Sequence, residues 1–250
     1  MPEPGADRLL PVPSVGRTFS TTRRARFGDL DRGGRLRLDA LARYVQDVSG
    51  DDTADAGLDN VAWVVRRTKV DVERSPRFRE LLTITTFCSG LGGRWAERRV
   101  SLVGDRGAAI ETVSLWIHLD AATGRPVPMP EAFHLRYDEA AAGRTVSARL
   151  QHDSEPPPGA TTRPWPLRAT DYDLLGHVNN AATWAVVEEV LADLGRGAAP
   201  LAAELEYRLA IEPGDAVAVT WQEAPDTSLA IWITDPRPGS SRVYATALVR

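Results

Sequence analysis

Cysteine is almost missing from this chain of 250 residues. Cys88 stands alone, so no internal disulfide can form, and no cluster of Cys and His has metal-ligand spacing. Lysine is equally scarce: all basic residues but Lys69 are arginine, which reads as a coding bias, not a functional signal. Long apolar runs are absent, and none approaches the roughly 18 residues that a membrane span needs. The first residues, Met1-Pro-Glu-Pro-Gly-Ala-Asp, carry neither a basic segment nor an apolar one, so no signal peptide is expected. Positive charge is not in excess. The formal net charge of −4 speaks against general binding of nucleic acid, which depends on neutralising phosphates. These absences predict a cytoplasmic protein without structural metal and with no nucleic-acid or membrane partner. The content that remains, 43% hydrophobic and 26% charged residues, is enough to bury a core in one large domain or two small ones.

The most chemically dense segment is Asp171-Tyr-Asp-Leu-Leu-Gly-His-Val-Asn-Asn180. It combines carboxylates, a glycine, an imidazole and two amides just before a helix-like run at 181–194. A helix start exposes unpaired backbone N–H groups and the positive end of the helix dipole. Carboxylate, imidazole and free N–H donors converging there can hydrolyse an activated carbonyl.

That segment has an earlier copy. Asp29-Leu-Asp-Arg-Gly-Gly-Arg-Leu36 and Asp171-Tyr-Asp-Leu-Leu-Gly-His-Val178 share the pattern Asp-x-Asp-x-x-Gly-x-apolar. Asp31 and Asp173 lie 142 residues apart, as do Gly34 and Gly176. Each copy leads into apolar residues at helical spacing: Leu38, Leu41, Val45 and Val48 in the first, Trp184, Val187, Val190, Leu191 and Leu194 in the second. Strand-like runs follow each helix. They are 62–65 with Val70 and Val72, 81–87, 95–103 and 108–119 in the first half, then 205–211, 216–221, 228–233 and 242–249 in the second. Four consecutive strands on short turns favour an antiparallel sheet, because parallel pairs need long crossovers. A long helix laid on such a sheet buries both apolar faces. The expected layout is an N-terminal arm at 1–17, a first repeat at 18–142, a linker at 143–162 holding Pro156-Pro-Pro-Gly159, and a second repeat at 163–250 with the candidate site. The proline-rich stretch 124–130 reads as a rigid connector.

A strand, a long central helix and an antiparallel sheet around it is the hotdog arrangement, so the fold class is α+β, a double hotdog of two repeats. Asp-x-x-Gly-His-Val-Asn-Asn at 173–180 resembles the motif of hotdog thioesterases. With Gly33-Gly-Arg-Leu-Arg-Leu38, Tyr44-Val-Gln-Asp47, Ser89-Gly-Leu-Gly92 and Ser114-Leu-Trp-Ile117, the chain resembles the acyl-ACP thioesterase family over roughly residues 18–250. The resemblance implies hydrolysis of a fatty acyl thioester, on acyl carrier protein (ACP) or coenzyme A (CoA), within fatty acid biosynthesis. Water would be the co-substrate, with no cofactor. It assigns the family Asp to Asp173 and the family His to His177. The family Asn position holds Leu175, and the family Glu position holds Ala210, with Ile211 beyond it. Those two replacements keep open an alternative: a non-catalytic binder of acyl or pantetheine groups.

Hydrolysing a thioester needs a water, a base and donors for the oxyanion. Asp173 is the expected base or nucleophile, its pKa raised by apolar Leu174 and Leu175. His177 is the expected partner. Gly176 would allow close approach of substrate, and N–H groups near His177 and Val178 would hold the oxyanion. The competing role for Asp173 is a helix N-cap. Asn179 and Asn180 are expected to bond backbone between the halves. Asp51 or Asp52, on or beyond the first helix, would replace the missing polar group from the opposite repeat, or serve as a helix C-terminal cap or part of a solvated face. Trp63, Trp95 and Trp116 are core residues or walls of an acyl tunnel. Arg66, Arg67, Arg94, Arg98 and Arg99 would meet an acidic carrier, or simply face solvent. Arg35 replaces His177 in the first copy, so one competent site per chain is expected. A monomer or a homodimer both fit.

Overall fold

The computed structural model describes residues 9–58, 61–197 and 199–250. The expectations for the first seven residues, and for residues 1–8 of the arm, lie outside the described residues. The elements run β1 (Thr18–Arg24), α1 (Leu38–Asp55), β2 (Ala62–Arg74), β3 (Leu81–Leu91), β4 (Trp95–Gly104) and β5 (Ala109–Leu119). Then come α2 (Glu131–Ala141), β6 (Thr161–Pro164), α3 (Asn180–Asp193), β7 (Leu201–Tyr207), β8 (Ala218–Glu223), β9 (Leu229–Thr234) and β10 (Val243–Val249).

The strands form one ten-stranded sheet in the order β1-β3-β4-β5-β2-β7-β10-β9-β8-β6. All its pairings are antiparallel. Each half follows the same path, β1-β3-β4-β5-β2 and β6-β8-β9-β10-β7, and β2 and β7 join the two, with Arg67 opposite Glu206 and Val72 opposite Leu201. The architecture is the expected double hotdog. Side chains at every second position, such as Val70 and Val72, Leu82 and Ile84, Leu229, Ile231 and Ile233, and Ala245, Ala247 and Val249, fall into one buried cluster with both central helices. Period-two burial means that one face of the sheet supports the helices. Leu41, Val45 and Val48 of α1 meet Trp184, Val187, Val190 and Leu191 of α3 in that cluster.

Two elements differ from the sequence expectation. The helix α2 begins directly after the proline-rich connector at 124–130, in a stretch where no element was expected. It buries Phe133, Tyr137, Ala140 and Ala141 at helical spacing and builds a second, smaller core with Cys88, Ala96 and Leu58. The strand expected at 205–211 is shifted: β7 ends at Tyr207, and Ile211 instead accepts the Val178 N–H at 2.9 Å. The segment between α2 and β6 is tied down along its length. Val146 bonds Leu91, and the backbone N–H groups of Gln151 and His152 donate to the buried Glu206 carboxylate.

Candidate active site

The two copies of the motif fold alike, residue for residue. A 3₁₀ turn at Phe27–Asp29 is matched by one at Ala169–Asp171, the bridge Leu30–Leu36 by Tyr172–Val178, and the first helical residue Leu38 by Asn180. Gly34 and Gly176 both have φ of 81°. A Cβ at Gly176 would meet no protein atom within 4 Å, so the positive φ is what makes glycine the fitting residue in this turn.

Asp173 closes this turn. Its Oδ1 accepts the Leu175 N–H at 2.9 Å, and its Oδ2 accepts the Asn179 Nδ2–H at 3.1 Å. Asp31 does the same work in the first copy, accepting Gly33 and Arg35 N–H at 2.9 Å. The N-cap of α3 is not Asp173 but Asn179, whose Oδ1 accepts the Ala181 N–H at 2.8 Å. Asn179 therefore ties Asp173 to the start of α3 within one repeat and does not bridge the halves. Leu174 and Leu175 are 95% and 71% exposed and do not screen the Asp173 carboxylate from water. His177 is exposed as well, and its ring makes no hydrogen bond among the described residues.

The backbone N–H of Asn180, at the positive end of the α3 dipole, has no partner among the described residues. Its carbonyl accepts the Tyr207 hydroxyl at 3.2 Å. Asn180 lines a narrow slot of about 20 Å³ between the central helices, with Gln46 of α1, Thr68, Ser114, Trp116, Trp184 and Tyr207. That is room for about one water. Trp116 and Trp184 each have a buried indole N–H with no acceptor, and Trp184 is fully buried. Burial pushes the Tyr207 phenol up, with Trp184 and Thr68 beside it offsetting part of the effect. Gln46 and Trp116 also line a larger chamber of about 300 Å³, walled by Trp63, Cys88, Ala96 and Phe133. Slot and chamber thus share a wall, and the chamber belongs to the first repeat while the motif loop belongs to the second.

The other expected residues distribute unevenly. Trp63 is in the chamber wall and packs on Phe133 at 5.5 Å between ring centroids. Asp52 is buried and fully engaged: it accepts Arg17 Nε at 2.8 Å, the Tyr137 hydroxyl at 2.8 Å and Arg98. Asp51 is exposed in a different groove, beside Thr21, Arg23 and Tyr44. Neither is brought to Asp173 or His177. Arg98 and Arg99 are buried, the first on Asp52 and the second on Glu111, so neither faces a carrier. Of the five arginines only Arg94 is exposed. Burial pushes the Cys88 thiol up to about 11. His152, Glu204 and Glu206 each bring one ligand atom within 4.8 Å of the others. Glu206 already accepts Gln151, His152 and Arg208, and Glu204 faces Arg67 and Lys69, so these carboxylates serve as anchors among cations, not as a metal set.

The first copy shows what happens when the same place is filled. Leu38, the counterpart of Asn180, donates its N–H to Glu188 Oε2 at 2.8 Å, and Arg35, the counterpart of His177, pairs with Glu188. Glu188 on α3 lies 142 residues after Gln46 on α1. The spacing found for the Asp and Gly positions would have identified the Gln46–Glu188 pair, but only the packing of α1 on α3 shows that each faces the other helix's start.

Comparison with known proteins follows the same division. Residues 16–137 match the acyl-ACP thioesterase N-terminal domain and residues 155–235 the C-terminal domain. The chain is 34% identical over 220 residues to an uncharacterised protein of Mycobacterium tuberculosis strain H37Rv, covering 87% of this chain and 88% of that one. Among solved structures it is similar to a putative oleoyl thioesterase from Lactobacillus plantarum, at 20% identity and a TM-score of 0.75 over 94% of this chain and 96% of that one. It is also similar to the 12:0-ACP thioesterase from Umbellularia californica, at 18% identity and a TM-score of 0.75 over 93% and 96%. Those two likenesses bear on the fold.

Proposed function

The chain belongs to the acyl-ACP thioesterase family and is a thioester hydrolase; from that premise we propose that it hydrolyses fatty acyl-ACP, or acyl-CoA, to a free fatty acid and a thiol. The observation that carries this reading is the free Asn180 N–H at the start of α3, in a slot that shares Gln46 and Trp116 with an apolar chamber. The acyl chain occupies the chamber against Trp63 and Phe133. The carbonyl lies at the slot, where the helix dipole favours a developing negative charge. The pantetheine arm leaves past the exposed His177. In this division residues 18–142 supply the chamber, 163–250 the motif loop, and 143–162 the linker.

Asp173 acts as general base. It takes a proton as the oxygen of water bonds to the carbonyl carbon. The tetrahedral oxyanion collapses, the C–S bond breaks, and the departing thiolate receives the proton, with His177 positioned to assist. If Asp173 attacks directly, a mixed anhydride forms, and water then cleaves it to the same products. In either route Asn179 fixes the carboxylate relative to α3. Gly176, Val178 and Asn180 shape the approach to that helix start.

Purified protein given acyl-ACP and acyl-CoA of several chain lengths, with thiol release followed, tests the reading. Turnover that depends on chain length is expected. Saturable acyl binding with no thiol release on any substrate would instead point to a binding protein.

A further inference from the structure

Gln46 is the counterpart of Glu188 in the 142-residue repeat relation, and the two copies differ in what sits on the facing helix start. In the first copy the Glu188 carboxylate occupies the Leu38 N–H at 2.8 Å. An anionic oxygen is therefore already seated at the place where a thioester oxyanion would sit, and that half is closed to substrate. In the second copy the residue is a neutral amide. The Gln46 side chain makes no hydrogen bond among the described residues, and the facing Asn180 N–H is likewise free. The Gln46 amide and the Asn180 N–H are thus two unpaired donors on residues that line one slot, and an acceptor placed there would satisfy both. A neutral amide leaves room for that acceptor to be the substrate, where a carboxylate would repel its developing charge.

We propose that Gln46, delivered from the first repeat, is a catalytic residue that donates its Nε2–H to the thioester carbonyl together with the Asn180 N–H, replacing the amide that Leu175 does not provide. This rests on the thioesterase reading above. The amide contributes no proton to the net reaction; it holds the oxygen as the C–O bond gains charge and releases it when the C–S bond breaks.

Two measurements test it, one of them independent of turnover. In steady-state hydrolysis Gln46→Ala is expected to lower kcat roughly a hundredfold with KM little changed, the range seen when one oxyanion donor is lost. Gln46→Glu, which recreates the closed arrangement of the first copy, is expected to be at least as impaired. A Gln46→Ala protein of unchanged thermal midpoint with wild-type kcat would overturn the proposal. The second measurement uses an acyl-pantetheine analogue with an amide in place of the thioester, carrying a 13C carbonyl. Infrared spectra of the complex should show a carbonyl stretch shifted to lower frequency in the wild type, with the shift reduced in Gln46→Ala. An equal shift in both proteins, no shift in the wild type, or no binding of the analogue would overturn it. A shift that depends on Gln46 without thiol release would contradict the hydrolase reading and leave the carbonyl site standing.

Discussion

Asp173 carries two duties on one carboxylate. Its turn-closing bonds recur at Asp31, where no catalysis is expected, so Asp173→Ala will disturb the loop as well as the chemistry. Asp173→Asn is the cleaner change, because an amide can keep the bond from Leu175 while losing its basicity. For His177, exposed and unbonded among the described residues, His177→Ala is expected to leave the thermal midpoint unchanged and to lower kcat by roughly 10²-fold, the low end of general acid–base contributions. Unchanged kcat would remove His177 from the mechanism. Cys88 offers a pH test of the chamber. With its thiol pushed up to about 11 by burial, the thiolate is scarce at neutral pH. The rate of alkylation by iodoacetamide should rise about tenfold per pH unit up to that value, whereas an open thiol would level off near about 8.5. An early plateau would show that the chamber wall is wetter than the structure has it.

At the scale of elements, the start of α3 and the cover over the chamber matter most. Asn179→Ala removes the N-cap and one of the bonds on Asp173. It is expected to cost about 1 kcal/mol in denaturant unfolding and more in kcat than a cap alone explains. A loss of stability with full activity would separate the cap from the site. Phe133 of α2 packs on Trp63 and Tyr137 in the chamber wall. Phe133→Ala is expected to cost roughly 3–5 kcal/mol and to move the preference in kcat/KM towards longer acyl chains. An unchanged chain-length profile in a folded variant would place the acyl chain elsewhere. The central helices were legible in the sequence because their apolar residues recur at three and four and each follows a repeated turn. The helix α2 was not, since only Phe133, Tyr137 and two alanines distinguish it from a polar connector. Asp52 misled for a related reason. An acid near a helix end reads as solvated, and its partners Arg17, Arg98 and Tyr137 come from 35, 46 and 85 residues away in the chain.

Across the whole molecule, the repeat relation is what the sequence displays most openly, and the asymmetry between the repeats is what it hides. Asp31 with Asp173 and Gly34 with Gly176 announce two similar halves. Arg35 in place of His177 suggests a single site, and the Glu188 carboxylate on the Leu38 N–H supplies the physical reason: the first copy is occupied by the protein's own side chain. The role of Gln46 depends on α1 packing against α3, which no local pattern reveals. One buried cluster contains residues of both helices and both halves of the sheet, and β2 and β7 pair through the middle. The repeats are therefore expected to unfold together, in one transition with coincident far-UV and near-UV signals. Two separated transitions would mean that the halves stand as independent units. The outer edges are guarded against further pairing: β6 has 4 residues and ends on Pro164, and β1 carries exposed Arg23 and Arg24.

The most direct test of a catalytic second-repeat loop is thiol release from acyl-ACP by wild type and by Asp173→Asn, compared at equal folded concentration. The account predicts turnover by the wild type and a loss of at least roughly 10²-fold in the variant. Release by Asp173→Asn at the wild-type rate would contradict it and leave Asp173 as the residue that closes a turn.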